Sequence, residues 1–222
     1  RPEEIAKENV DAVRAGAATN MARHIRNMAR FGVPVIASVN VFPTDTDAEI
    51  QALVDEAREA GATDAVVTRV HSNGGEGGAD LARAVVSACQ THIAEGRPFE
   101  PLFGPNAPLE EKILRIATNV YGAASIDLAP KALNELKTLQ NWGYGNLAVC
   151  MAKTQYSFSH EMKELGAPSG FTLPIRDLRL NAGAGFIVAI CGTMMTMPGL
   201  PRIPAGENMD MDEDGNLLGM FR

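Results

Sequence analysis

Cysteine, tryptophan and the phosphate-gripping lysine loop are what this chain has least of. Three cysteines and one tryptophan occur in 222 residues, and aromatic residues make up only 5%. Cys89, Cys150 and Cys191 stand far apart in apolar surroundings. That pattern excludes a disulfide framework or a cysteine-ligated zinc site and predicts reduced core thiols in a cytoplasmic protein. No GxxxxGK[ST] segment occurs, and no glycine is followed by lysine anywhere, so these residues hold no Walker A loop. Long apolar runs are missing too. The most apolar late run, 186–190, stops at Cys191-Gly192, far short of the roughly 20 residues a membrane helix needs. Positive charge is scarce: 20 Lys and Arg stand against 27 Asp and Glu, for a net charge of -7. This argues against nucleic acid or an anionic membrane as main partner. The opening RPEEIAKENVDAVRAG is charged and helical in pattern, unlike a secretory leader. Its start at Arg1 leads us to expect a piece of a longer chain.

What is present, 45% hydrophobic and 21% charged, is the composition of a soluble globular protein with room for one large domain or two small ones. Residues 2–31 place Ile5, Val10, Val13, Met21, Ile25 and Met28 at helical spacing. A strand is predicted over 33–40, a helix over 48–60 closed by Gly61, and a second strand over 65–70. The glycine-rich SNGGEGG (72–78) then leads into a helix over 79–95. Such a βαβα order predicts a parallel sheet with flanking helices. Pro98, Pro101, Pro105 and Pro108 mark a connector, so the expected domains are 1–97 and 98–222. The second part carries predicted helices at 109–121 and 130–141, then strands at 147–152, 172–180 and 185–190. The fold class is therefore α/β: a parallel sheet with helices, followed by a smaller C-terminal α/β domain.

Several segments can carry chemistry. PVIASVNVFPTDTD (34–47) is the most informative: a strand expected to be buried on both faces ends at Asn40, and Pro43 pins the turn from which Phe42 projects. Asp45 or Asp47 is expected to cap the next helix. In doubly wound sheets ligands sit beyond the carboxyl ends of the strands. There Asn40, Phe42 and the carboxylates can read and stack a flat heterocycle; an ordinary connection with Phe42 folded into the core fits the same residues. The loop Asn73, Gly74, Gly75 and Glu76 has the composition of an anion cradle, although Glu76 would repel phosphate. A tight strand-to-helix turn is the alternative. His71, directly before it, is the histidine of interest, while His24 and His92 read as helix-surface residues. In MAKTQYSFS (151–159), Lys153 can steady an anion, or the segment is a solvated turn with Tyr156 and Phe158 packed inward. DMDEDG (210–215) imitates half an EF-hand, but its twelfth position is Phe221, so a β-turn at Asp214-Gly215-Asn216 is expected instead of calcium. Met194, Met195 and Met197 in the proline-rich MTMPGLPRIPA suggest a packing arm against a neighbouring domain or subunit, or a soft pocket wall.

Taken in order, GVPVIASVNVFPTDTD, NGGEGG, YGA (121–123), CMAKTQYSFS, LRLNAGAGFIV and MTMPGLPRIPAGENMD resemble the C-terminal part of formate–tetrahydrofolate ligase, also called formyltetrahydrofolate synthetase, across nearly all 222 residues. The resemblance implies a P-loop-NTPase-like domain remainder. It implies ATP-dependent formylation of tetrahydrofolate by formate through formyl phosphate, with Mg2+ and a monovalent cation. It also implies a homotetramer, as in bacterial members. Phe42 matches the family's pterin-stacking phenylalanine, with Asn40, Thr44 and Asp45 beside it. His71 falls where the family usually has a second stacking residue, a tryptophan; imidazole offers less stacking area and can carry charge. The P-loop and the formate- and phosphate-binding basic residues of the family lie upstream of the matched part. The resemblance therefore implies that turnover needs that upstream half.

Overall fold

A strand followed by an amphipathic helix and a second strand builds the first layer. The computed structural model describes residues 7–193, 202–215 and 217–219, in two units, 1–192 and 193–222. Helix α1 (Val10–Gly16) begins at Asn9, whose side chain accepts from the Ala12 N–H at 3.0 Å. It runs through a π turn (Ala17–Met21) into α2 (Ala22–Ala29). Strand β1 (Ile36–Asn40), helix α3 (Asp47–Glu59) and strand β2 (Asp64–Thr68) follow, and β1 pairs with β2 in parallel, as the βαβ order predicts. Ile50, Leu53, Val54 and Ala57 form one stripe on α3 and meet Ala22, Ile25, Val39, Val41 and Ala65. The start of α3 differs from expectation: Thr46, not Asp45 or Asp47, is its cap. Thr46 and Glu49 stand three apart and satisfy each other's backbone N–H groups, each at 3.3 Å. Glu49 also accepts from the Asn9 N–H at 2.8 Å, and these bonds hold its carboxyl below the usual range. β1 is shorter and less buried than expected. Among the described residues its sheet has only two strands, so most of its side chains are half-buried or exposed.

Helix α4 (Ala79–Ala94) packs beside β2 and β1, and the proline-rich connector leads to α5 (Leu109–Ile116), which ends in a second π turn (Ala117–Tyr121). Strand β3 (Ser125–Leu128), helix α6 (Pro130–Asn141) and strands β4 (Ala148–Ala152), β5 (Thr172–Asn181) and β6 (Phe186–Cys191) complete this unit. Pro130 at the first helical position suits the start of α6. The sheet order is β3-β5-β6-β4, with β3 parallel to β5, β5 antiparallel to β6, and β6 parallel to β4. It is a mixed sheet. Its core joins Leu109, Ile113, Leu136, Leu173, Ile175 and Ile187, each buried.

Lys112 is buried, and its Nζ donates to the carbonyls of Gly145 (3.2 Å) and Leu147 (3.0 Å). Burial pushes its pKa down. In the second unit, Asp210–Met211 pairs antiparallel with Leu217–Leu218, and the Gly215 N–H donates to the Asp212 carbonyl at 3.0 Å. Met194, Met195 and Met197 lie outside the described residues, as do Asn216 and Phe221.

Candidate functional site

The parallel register sets the geometry of the first site. Asn40 pairs with Thr68 at the strand ends, and the Val41 N–H donates to the Thr68 carbonyl at 3.1 Å. Phe42 and His71 therefore leave the sheet at the same carboxyl edge, two and three residues past that last pair. The turn at Phe42 is closed twice. Its N–H donates to Asp45 Oδ2 at 2.8 Å, and its carbonyl accepts from the Asp45 N–H at 3.0 Å. Both main-chain groups are spent inside the turn, and the ring remains 53% exposed. Phe42 is thus not folded into the core. Asn40, Thr44 and His71 are exposed beside it in sequence. Asp45, read from sequence as a possible cap or folate neighbour, here fixes the turn.

The glycine-rich loop folds as one helical turn (Val70–Asn73) followed by a 3₁₀ turn (Gly74–Gly78). It closes on Arg69: the Arg69 N–H donates to the Gly77 carbonyl at 3.0 Å, and the Asn73 N–H to the Arg69 carbonyl at 2.8 Å. A Cβ on Gly77 would stand 2.4 Å from the Arg69 carbonyl oxygen. Gly74 has φ 58 and ψ -146, a conformation essentially restricted to glycine. Two of the glycines are thus required by the backbone path itself. Asn73, Gly74, Gly75 and Glu76 are all exposed.

Beyond β4 the chain forms a buried polar knot where a solvated turn was one expectation. Lys153, Thr154, Ser157, Phe158 and Ser159 are buried, while Tyr156 is exposed. The Lys153 Nζ donates to the carbonyls of Thr154 (2.8 Å) and Ser157 and lies 5.0 Å from the centre of the Tyr121 ring. Ser157 Oγ donates to the Glu164 carbonyl at 2.6 Å. Burial lowers the Lys153 pKa and pushes the nearby Cys191 thiol up to about 12. Lys153 lines a cavity of about 300 Å³ with Asn20, His24, Tyr121, Gln155 and Phe158 among its walls. The His24 and Phe158 rings meet at 5.0 Å. None of the described residues lining it comes from the Phe42 turn or the glycine loop, so Lys153 belongs to a different opening.

Sequence reading missed Asn20, His24 and Tyr121 as partners of Lys153. They come from α1–α2 and the end of α5, far away in the chain, and nothing in their spacing announces a meeting across the fold. Both π turns contribute to this cavity, Asn20 from one and Tyr121 from the other, and such turns recur at functional sites. Among the described residues no three His, Cys, Asp or Glu side chains come together to hold a metal ion. No described helix is long and apolar enough to cross a membrane.

Comparison with known proteins bears on residues 1–221, which match the family model described as formate–tetrahydrofolate ligase. A formate–tetrahydrofolate ligase of Paracoccus denitrificans (strain Pd 1222) is 51% identical over 219 residues, covering 98% of this chain and 38% of the relative. Ligases of the same description from Roseobacter denitrificans (48%) and Latilactobacillus sakei (47%) align over 218 residues each, again 98% of this chain and 38% of theirs. The chain thus spans about 38% of the length of these curated relatives. On a family match that takes in both the Phe42 turn and the Lys153 knot, this chain belongs to the formate–tetrahydrofolate ligase family.

Proposed function

We propose that the chain is the pterin-holding part of an enzyme that joins formate to tetrahydrofolate with ATP, through formyl phosphate, to give 10-formyltetrahydrofolate. The observation that carries this reading is the outward Phe42 ring at the carboxyl edge of β1, with His71 leaving the same edge. In this role Phe42 stacks on the pterin and His71 offers the second, smaller ring face. Asn40 and Thr44 supply polar groups at the rim, and Asp45 acts by holding the turn that aims the ring. A fixed ring matters because the pterin nitrogen must meet the formyl carbon in line. Asn73, Gly74, Gly75, Glu76 and Lys153 are assigned to nucleotide or cleft loops, with Lys153 serving its own cavity. In this reading ATP with Mg2+ supplies the phosphoryl chemistry, held mainly by the upstream P-loop half of the enzyme.

Dependence on that upstream half has its own support. Val85, Val86 and Ile93 are exposed on α4, beside a sheet that has two strands among the described residues. Parallel sheets are normally covered on both faces and rarely stop at two strands. The same reading includes a division near residue 97, a cytoplasmic location, a homo-oligomer, a monovalent-cation requirement, and no nucleic-acid or membrane partner.

Two measurements test it. Mixed with ATP, Mg2+, formate and tetrahydrofolate, the 222-residue chain alone should make no 10-formyltetrahydrofolate; product would refute the need for the other half. In calorimetric titration with tetrahydrofolate, Phe42→Ala should weaken binding by about 1–3 kcal/mol, the scale of one aromatic stack and its buried area. No binding heat from the wild type, or identical heat from the variant, leaves the chain a structural or assembly module.

A further inference from the structure

A second cavity, of about 380 Å³, opens along the same helix as the Lys153 cavity, and its walls are basic. Arg23, Arg26 and Arg30 line it together with Asn27, with Thr19 of the first π turn and Ala167 also in its wall. Positions 23, 26 and 30 are three and four apart, so the helical repeat brings all three arginines to one face. No carboxylate is among the described residues lining the cavity. None of the three arginines forms an ion pair among the described residues, whereas Arg14, Arg58, Arg83, Arg97, Arg115 and Arg179 each meet an acid.

The helix is held rigidly at this face. Asn27 is buried and its Nδ2 donates to the Val120 carbonyl at 2.9 Å, while Arg30 Nη1 donates to Asn119 Oδ1 at 3.1 Å. Arg23 lies 5.7 Å over the Phe158 ring and packs against Gly122, where a Cβ would stand 2.7 Å from the guanidinium. Like charges at this spacing repel along a helix. In a chain of net charge -7, no acid among the described residues pairs with any of these three.

We infer that this cavity binds a phosphomonoester or diphosphate group, at a site separate from the Phe42 edge. A guanidinium fork matches phosphate oxygens two at a time. Three forks on one wall exceed what the two oxygens of a single carboxylate can accept, but suit a dianionic group with three or more free oxygens. The inference does not depend on the ligase reading, because Arg23, Arg26 and Arg30 lie outside the Phe42 turn.

The test is calorimetric titration of the 222-residue chain with sodium pyrophosphate at low ionic strength, with inorganic phosphate and the dicarboxylate glutarate in parallel. Pyrophosphate should bind saturably at one site. Arg26→Gln should weaken it about tenfold, the worth of one charged hydrogen-bond fork. Arg30→Gln, at the other end of the row, should weaken it similarly, so the result does not rest on the folding of one variant. Arg83→Gln removes the same charge from the exposed Arg83–Asp80 pair and should change nothing. Absence of saturable binding, equal weakening by Arg83→Gln, or glutarate binding as tightly as pyrophosphate would each overturn the site.

Discussion

Replacing Gly77 by alanine separates two explanations of the glycine-rich loop. A Cβ at this position would lie 2.4 Å from the Arg69 carbonyl oxygen and 2.5 Å from its carbon, where ordinary contact begins at 3.4 Å. The obstructing atoms are main chain, so no rotamer change relieves them. The two strands of backbone must separate by about an ångström, which breaks the 3.0 Å bond from the Arg69 N–H to the Gly77 carbonyl. Overpacking of this kind costs about 1–3 kcal/mol, and the lost hydrogen bond adds about 1 kcal/mol. The expected destabilisation is about 2–4 kcal/mol, read as a urea midpoint lowered by about 1 M or more at typical slopes. Gly75→Ala is the internal comparison. Nothing lies within 4 Å of its Cβ and its φ is not left-handed, so its stability should stay within about 0.5 kcal/mol or rise slightly. Equal midpoints for the two variants would refute the close approach to Arg69. If the glycines instead give a ligand access to the backbone, Gly75→Ala should lose ligand binding while keeping its stability.

Two further outcomes follow from titrating groups. Burial alone would raise the Asp177 pKa, but the neighbouring Glu135 and the charged hydrogen bonds from Lys131 (2.9 Å) and Arg179 (3.4 Å) hold it down, from 3.8 to about 2. A depressed carboxylate stabilises the fold above its unfolded pKa and loses that contribution as pH falls through the folded one. The midpoint of unfolding should therefore decline between pH 3.8 and about 2, and Lys131→Met, which removes the 2.9 Å partner, should flatten that decline; an unchanged profile counts against the pair. For the thiols, Cys89 and Cys150 are exposed and Cys191 is buried with its pKa pushed up to about 12. Native protein should react with a disulfide reagent at two thiols quickly and at the third only on unfolding, and rapid reaction of all three would contradict the burial of Cys191.

Much of the architecture was readable in the residues because the signals were local. The α3 stripe, Gly61 at its end, Pro130 at the start of α6 and the β-branched runs each specify their own element. Strand β3 has no sequence signal: its four residues, set between a left-handed Gly122 and the Ala129-Pro130 helix start, are too few for a pattern. The cap of α3 is Thr46 and not one of the aspartates the sequence suggests, because three capping residues stand side by side and only the reciprocal bond with Glu49 selects among them. Cys89 and Cys150 were expected in the core from their apolar neighbours. Cys89 instead lies on the solvent side of α4 and Cys150 on a strand at the sheet's edge. The Phe42 turn was legible because proline and aspartate act within four residues. The Lys153 cavity was not, since its walls are assembled from three distant stretches.

Lys112 and Lys153 show how similar chemistry at the two ends of one strand can differ in consequence. Each is buried, each donates to a pair of main-chain carbonyls, and the two pairs bracket β4: Gly145 and Leu147 before it, Thr154 and Ser157 after it. Neither has a carboxylate ion pair among the described residues. β4 is an edge strand, and fixing both of its ends by charged hydrogen bonds limits slippage that such edges otherwise permit. Carbonyls satisfy the ammonium donors without cancelling the charge, so a net positive field remains at each end. At Lys112 that field meets packed protein, because the side chain is only 1% exposed and the ring of Phe103 lies 6.0 Å away. At Lys153 it meets a cavity of about 300 Å³. The shared bonding accounts for holding the strand; the open space beside Lys153, which Lys112 does not have, is what that bonding alone does not explain.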